Sequence, residues 1–234
     1  MKKAFKFMVV AAVLAFAANS SLMAQFKFGA KASGTINNMF LEQDTTKDLK
    51  RSPVIGFNVG VMAEYFLNES MSVGAELLFA QQGYKRSEEG TDYKIEQTLR
   101  TNHINLPILF RYYIGGLAIE AGPQIGFCFG GKMKAHTEMS AGTITVTHDT
   151  TLSMADIESE YQKAKSDFKA WNRINVGGTI GLSYTLPMGV FLGARYTYDF
   201  TNAFNDLKVD GTDLKQESSK SHHSVISISV GYKF

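Results

Sequence analysis

The sequence has one cysteine and four prolines among its 234 residues, and it has no long hydrophobic run. The single cysteine, Cys128, excludes an internal disulfide, so the fold depends on packing and hydrogen bonds. No stretch beyond the N-terminal segment approaches the roughly 18 consecutive apolar residues typical of a membrane-spanning helix. Acidic and basic residues are nearly balanced, at 22 and 24, which gives no electrostatic support for a nucleic-acid partner.

The N-terminus has the composition of an export signal. Lys2, Lys3 and Lys6 precede an uncharged run over residues 7–18, which is too short to span a bilayer as a helix. Small residues then lead to Ala24, after which we expect cleavage. The sequence therefore predicts a signal peptide over residues 1–24, followed by one domain over residues 25–234.

Strict alternation of apolar and small or polar residues is the dominant pattern of the remaining chain. In LAIEAGPQIGFCFGG, residues 117–131, large apolar side chains occupy nearly every second position, which is the period of a β-strand. Seven more segments share the pattern. The eight predicted strands cover residues 25–33, 54–67, 71–84, 102–113, 117–131, 174–186, 190–200 and 223–234.

The connections between these strands alternate between short and long. The short ones cover residues 68–70, 114–116 and 187–189, and the long ones cover residues 34–53, 85–101, 132–170 and 201–221. Short periplasmic turns alternating with long extracellular loops are typical of outer-membrane barrels with an even number of strands. The sequence thus predicts an all-β, eight-stranded antiparallel transmembrane β-barrel in the cell outer membrane.

The distribution of charge and glycine decides which face of the strands meets lipid. Charged residues fall opposite the large apolar residues, on the same face as most of the strand glycines. A soluble lipocalin-like barrel would place that glycine-rich face in water, which is unusual for a strand. Glycine instead saves space inside a narrow eight-stranded barrel, so we expect the apolar face to lie in lipid.

Four tyrosines support this orientation. Each lies on the apolar face, one or two residues from the predicted periplasmic end of its strand, where barrels carry an aromatic girdle. They are Tyr65, Tyr112, Tyr184 and Tyr232.

Four segments resemble a known family. HINLPILFRYYIGG, EAGPQIGF, FLGARYTYDFTN and SISVGYKF are similar to the PorT-type outer-membrane β-barrel family of Bacteroidota, which carries an outer membrane protein beta-barrel domain. The resemblance implies an eight-stranded outer-membrane barrel. It also raises the possibility of a role in protein secretion, in which the name-giving member is implicated.

Proline occurs inside two predicted strands. Pro107 and Pro123 each lack the backbone donor that a strand ladder needs, and a closed barrel has no edge to accommodate them. We expect a local bulge or bend at each.

Charges of both signs are predicted to face the barrel interior. We expect them to form a structural network of salt bridges that plugs the lumen, since buried charges must be paired. The alternative is an ion path or gate. The residues concerned are Glu64, Glu76, Arg111, Glu120 and Arg195.

Asp199, His222, His223 and Ser224 lie near the predicted extracellular rim, where a catalytic group could act. No nucleophile elbow or HExxH spacing accompanies them. We expect solvated residues at loop ends, and a protein that is not an enzyme and uses no metal or cofactor.

The long segment over residues 132–170 contains one amphipathic pattern. Apolar residues recur at spacings of three and four, which predicts a helix, and Ser153 and Asp156 form a plausible start as a capping box. We expect this helix to lie against its own barrel or loops; the alternative is a docking face for a partner protein or an outer-leaflet lipid. Its apolar residues include Met154, Ile157, Tyr161 and Phe168.

Together these patterns predict an integral outer-membrane protein without catalytic activity. Its expected role is structural, or it contacts surface partners through its extracellular loops; the alternative is an accessory component of a secretion system. The expected partners are outer-membrane lipid and, through the loops, envelope or secretion proteins.

Overall fold

The computed structural model of the protein describes residues 25–41, 49–90, 93–141, 144–156, 159, 173–201 and 221–234. The predicted signal peptide over residues 1–24 lies outside this part. The described strands are β1 (Phe26–Leu41), β2 (Leu49–Asn68), β3 (Met71–Glu89), β4 (Tyr93–Ile114), β5 (Leu117–Ala141), β6 (Ile144–Ser153), β7 (Ile174–Thr185), β8 (Val190–Asp199) and β9 (Ser221–Lys233).

Eight of these strands form a closed antiparallel ring. Each pairs with its neighbour along the chain, β5 pairs directly with β7, and β1 closes the ring against β9. This arrangement confirms the predicted eight-stranded antiparallel barrel. The three tight connections also follow the prediction, with left-handed glycines at Gly115 and Gly189, a conformation that other residues adopt with strain.

The ninth strand, β6, corrects the prediction that residues 132–170 form only a loop and a helix. β6 pairs with the extended end of β5, from Lys132↔Ser153 to Ala141↔Ile144. Its sequence, ITVTHDTTLS, is rich in the β-branched residues that favour strands. Only Ile144, Val146 and Leu152 of its ten residues are apolar, so its hydrophobic periodicity is a weak signal.

Several strands continue well past their predicted ends. β1 extends to Leu41, while β3 and β4 pair as far as Glu89↔Lys94 through the predicted loop over residues 85–101. The extensions of β2 to β5, with β6, form a five-stranded sheet beyond the ring at the end where the long connections lie. We call this sheet the wall and define it as residues 49–53, 84–89, 93–101, 131–141 and 144–153.

Side-chain exposure follows the predicted two faces of the barrel. Large apolar residues point outward along every strand of the ring, as at Val61 and Ile180, where 57 % and 61 % of the residue is exposed. The opposite positions are buried and mostly polar, small or charged. A surface this rich in exposed apolar side chains requires an apolar solvent, and lipid supplies it.

Neither Pro107 nor Pro123 produces a bulge, which is one of the two distortions expected at these prolines. The register is the same on both sides of Pro107 in its pairings with β3 and β5, and on both sides of Pro123 in its pairing with β7. Each proline instead lies at a short interruption of the strand pairing, Pro107 on the side of β3 and Pro123 on the side of β4. The β4–β5 bulge lies between Asn102 and His103, where Phe129 is the extra residue.

The predicted amphipathic helix is described only at its first turn. Ser153 and Asp156 form the expected capping box, with Asp156 N–H donating to Ser153 Oγ at 3.1 Å and Ser153 N–H donating to Asp156 Oδ2 at 3.0 Å. Met154 is buried, whereas Ile157, Tyr161 and Phe168 lie outside the described residues. Within the described ranges, no helix is long and apolar enough to cross a membrane.

Candidate functional site in the barrel interior

Seven strands of the ring each contribute one charged side chain to a cluster in the interior. Alternation points all of them inward, and all are buried. The cluster contains the five charged residues predicted from the sequence and two further lysines. Its members are Lys31, Glu64, Glu76, Arg111, Glu120, Arg195 and Lys233; we call this set the interior network.

Glu76 on β3 is the acceptor that contacts the most cations. Its carboxylate lies 2.9 Å from Lys31 Nζ, and Arg111 Nη2 donates to its Oε1 at 2.6 Å. Arg195 on β8 donates to both of its oxygens at 2.7 Å. Three cations from three strands thus converge on one buried carboxylate.

Glu120 on β5 lies between the two arginines. Arg111 Nε donates to its Oε2 at 2.9 Å, and Arg195 reaches it through Nε and through Nη2, the latter at 3.1 Å. Each guanidinium therefore bridges Glu76 and Glu120. Charge-assisted hydrogen bonds of this kind fix both the position and the orientation of the arginines.

Glu64 on β2 occupies the end of the network nearer the short turns. Lys233 Nζ lies 2.9 Å from its Oε2, and Arg111 Nη1 lies 3.6 Å from its Oε1. The hydroxyls of Ser72 and Tyr113 donate to the same carboxylate, the latter at 2.5 Å. Lys233 also donates to Tyr113 Oη at 2.8 Å, so this end forms a continuous chain of hydrogen bonds.

Two glycines leave room for the arginines. A Cβ atom on Gly74 would lie 2.2 Å from Arg111 Nη1, and one on Gly181 would lie 2.7 Å from Arg195 Cγ. Both distances are far shorter than a van der Waals contact. At these two positions of the glycine-rich inward face, the absence of a side chain makes room for Arg111 and Arg195.

Sequence reasoning omitted four participants in these contacts. They are Lys31, Lys233, Ser72 and Tyr113. Tyr113 is two residues from Arg111, and Ser72 is two from Gly74, so alternation alone could have placed them on the inward face.

The arrangement fills the lumen with paired charges. Four cations and three carboxylates, with side chains at most 7 % exposed, connect strands on opposite sides of the ring. An eight-stranded barrel has an interior just wide enough for side chains. The network therefore crosses the interior of the barrel between opposite strands.

The four rim residues considered for catalysis are less solvated than expected. Asp199 and Ser224 are buried, and both histidines are half-buried. Asp199 accepts a hydrogen bond from Asn175 Nδ2 at 2.9 Å, and His222 stacks on Tyr198. In the described part of the chain, no hydrogen bond joins Ser224 to Asp199 or to either histidine. Ser224 is paired on both sides, with Asn38 and Tyr198, whereas Asp199 pairs with β7 and the two histidines pair with β1.

The four tyrosines of the predicted girdle lie at one level of the barrel. Each is on the outward face near the end with the short turns, and Tyr112, Tyr184 and Tyr232 are 42–51 % exposed. Tyr65 packs against Phe26, with ring centroids 4.9 Å apart, and Tyr232 packs against Phe234 at 5.3 Å. Aromatic rings therefore continue around this end of the apolar surface.

The outer face of the wall carries exposed ion pairs. Lys85 Nζ lies 2.8 Å from Glu96, which also contacts Lys94 at 3.3 Å. His136 on β5 lies 2.5 Å from Asp149 on β6 and 3.1 Å from Glu138. Hydrogen bonds to Asp149 and Glu138 raise the pKa of His136 above its usual value.

Three solved structures show a distant similarity to this chain. Ail, the attachment invasion locus protein of Yersinia pestis, is 13 % identical, with a TM-score of 0.41 over 90 % of this chain and 99 % of that one. OprG of Pseudomonas aeruginosa is 13 % identical, with a TM-score of 0.37 over 90 % and 96 %. CarO of Acinetobacter baumannii is 9 % identical, with a TM-score of 0.41 over 86 % and 97 %.

The family is established by sequence. No curated protein matches the chain at a significant level. The family model described as "Outer membrane protein beta-barrel domain" matches residues 16–205, which is most of the chain and includes eight of the nine described strands. The chain belongs to the outer membrane protein beta-barrel domain family, and membership implies a location in the outer membrane.

Proposed function

We propose that this protein is a non-conducting, non-catalytic outer-membrane barrel that acts as a structural or surface-interaction protein through its long-loop end. The observation that supports this role is the contrast between the two halves of the molecule. The interior is filled by the interior network, whereas the wall extends beyond the ring as an exposed five-stranded sheet. The barrel is thereby suited to hold the wall at the membrane surface.

The wall offers two features that a protein partner could recognise. Among the described strands, β6 pairs with β5 alone, so its other backbone edge is suited to the addition of a partner's strand. Tyr93, Met139 and Val146 lie in one cross-strand row, 41 %, 58 % and 61 % exposed. An apolar row beside an available edge is a common basis for binding an extended segment.

A second proposal rests on the resemblance of β4 and β5 to PorT-type proteins. The segments HINLPILFRYYIGG and EAGPQIGF carry that resemblance. In this proposal the barrel is an accessory component of a secretion system and contacts that machinery at either end. The two proposals differ in where partners bind and in how many proteins assemble with the barrel.

Site-specific photocrosslinking in intact cells tests both proposals. A photoreactive residue replaces Thr147 on β6 in one variant and Met188, an exposed residue of a short turn, in the other. A surface-interaction role predicts discrete adducts from position 147 and none from position 188. Adducts from both positions that co-purify with one large envelope complex would favour the secretion role. A correctly inserted barrel with no adduct from position 147 would contradict the surface-interaction role.

A further inference from the structure

A cavity lies on the outer face of the sheet, where the base of the wall meets the apolar surface of the barrel. It has a volume of about 370 Å³. Three of its side chains are cationic, two are amides and one is a hydroxyl. They are Arg100, Lys132, Lys134, Gln81, Asn102 and Thr98; we call this cavity the basic pocket.

The position of the basic pocket corresponds to the level of lipid headgroups. Ile104 and Phe127, on the outward face of β4 and β5, are 37 % and 45 % exposed and belong to the apolar surface. Arg100 lies on the same face of β4, four residues beyond Ile104, or about 13 Å along the strand at about 3.3 Å per residue. With the usual strand tilt of roughly 40°, this is about 10 Å along the membrane normal. The polar layer on each side of the hydrocarbon is about 5–8 Å thick, and the long side chains of arginine and lysine can extend back to it.

The cations of the pocket face each other rather than facing acids. Arg100 and Lys132 are directly opposite in the β4–β5 ladder, and Lys134 is opposite Thr98 on the same face. Like charges at opposite positions destabilise a sheet unless an anion lies between them. None of the residues that line the pocket is acidic.

Two acids on the same face of the wall have other partners. Glu96 contacts Lys85 and Lys94, and Glu138 contacts His136. Within the described ranges, no carboxylate lies within ion-pair distance of Arg100, Lys132 or Lys134. The basic pocket thus retains a concentrated positive charge.

The donors of the pocket fit a phosphate group. Arg100 has a planar guanidinium group. Its Nη1 donates a hydrogen bond to Gln81 Oε1 at 3.0 Å, which fixes the orientation of the guanidinium. The paired N–H donors of a guanidinium match the spacing of two phosphate oxygens, and the ammonium groups of Lys132 and Lys134 can neutralise the remaining charge of the phosphate. The apolar surface around Ile104 and Phe127 begins below the pocket, so acyl chains attached to the phosphate would lie against it.

We propose that the basic pocket binds the phosphate group of an anionic lipid in the membrane leaflet at the long-loop end. Arg100 and Lys132 hold the phosphate between β4 and β5, and Lys134 adds a third cation. The bound anion relieves the repulsion between Arg100 and Lys132 and joins the base of the wall to the membrane surface.

Native mass spectrometry of the full-length barrel tests this site. The protein is released from mixed micelles that contain phosphatidic acid and phosphatidylcholine in equal amounts. The test variant combines Arg100→Gln, Lys132→Gln and Lys134→Gln. The matched control combines Lys85→Gln and Lys94→Gln, which removes cations of the same face that have a carboxylate partner. The heat-modifiable band on gels verifies that each variant is folded.

The wild-type barrel is expected to retain phosphatidic acid in preference to phosphatidylcholine. The triple variant should lose about tenfold in this preference, while the control changes less than about twofold. Added salt should weaken retention, since the contact is electrostatic. Equal retention by the wild type and a folded triple variant, or an equal loss in the control, would overturn the proposal.

A parallel arm separates a lipid from a soluble phosphate. Inorganic phosphate is added to the wild-type barrel at increasing concentration before release from the micelles. Continued retention of phosphatidic acid at millimolar phosphate would support a site that also uses the acyl chains. Complete displacement by low concentrations of inorganic phosphate would assign the pocket to a soluble phosphate compound and overturn the lipid assignment.

Discussion

Arg195 and Glu76 are joined by two parallel hydrogen bonds across the barrel, each 2.7 Å long. They belong to β8 and β3, which are four strands apart in the ring of eight and therefore lie on opposite sides of it. The pair spans the lumen instead of linking neighbouring strands. A bidentate ion pair thus connects opposite strands of the closed ring through its interior.

Removal of the central carboxylate should strongly destabilise the barrel. Glu76→Gln leaves Lys31, Arg111 and Arg195 without their shared partner in a buried site, and breaking a buried ion pair costs about 3–5 kcal/mol. We expect a loss of this size in the free energy of unfolding, measured by guanidinium titration with the heat-modifiable band as the readout.

The control for this variant is Glu96→Gln, which breaks an exposed ion pair of the wall. We expect a far smaller effect, because exposed pairs contribute little to stability. Combining Glu76→Gln with Lys31→Met should recover part of the loss, since the two residues are in contact. Equal effects of Glu76→Gln and Glu96→Gln would show that the interior network is not a major source of stability.

The filled lumen should not conduct. Wild-type protein in planar bilayers is expected to show no steady large conductance, because paired side chains occupy the space between opposite strands. Replacing both Arg111 and Arg195 by alanine should admit water and ions in those molecules that still fold. Ion-selective conductance of the wild type that Arg111→Ala abolished without unfolding would instead make the interior network a conduction path.

A charge on the outward face should prevent stable insertion. Val59 and Leu182 are about half-exposed on the apolar surface, and arginine near the bilayer midplane costs roughly 2–4 kcal/mol. Val59→Arg and Leu182→Arg should reduce the folded, membrane-inserted fraction, measured by heat-modifiability of envelope preparations. Val59→Leu and Leu182→Ile serve as controls and should insert normally. Normal assembly of both arginine variants would mean that this face does not meet lipid.

The pairing of β5 with β6 should depend on pH. The contacts of His136 with Asp149 and Glu138 raise the pKa of the histidine in the folded wall. Their contribution is therefore fully present below the unfolded-state pKa of His136 and is lost as pH rises through the folded-state pKa. Hydrogen exchange of the β6 amides, corrected for the intrinsic rate, should show greater protection near pH 5 than near pH 8.

The variant His136→Gln provides the comparison for this pH effect. Glutamine retains hydrogen-bonding capacity but carries no titratable charge, so protection of β6 should no longer change between these pH values. The interior network lies far from this strand pair, and its backbone amides serve as an internal reference. An unchanged pH dependence in His136→Gln would assign the effect to another group.

The sequence by itself determined the barrel and the orientation of its two faces. Period-two alternation is a local property, because successive side chains of a strand point to opposite sides whatever the neighbouring strand is. Residues such as Val61 and Glu76 could therefore be assigned outward and inward without knowledge of the pairing. Glycine and asparagine favour tight turns wherever they occur between strands, so the alternation of short and long connections could be predicted from the sequence.

Tertiary structure alone decided which inward charges meet and how far the sheet extends. The contact of Arg195 with Glu76 depends on the stagger between strands more than 100 residues apart in the chain, which no local pattern encodes. The wall was not predicted from the sequence because both of its faces carry polar residues. Its strands are held together by backbone hydrogen bonds rather than by the packing of an apolar face. The strands also keep the same register on both sides of Pro107 and Pro123. Backbone pairing before and after each proline fixes the alignment of the strands.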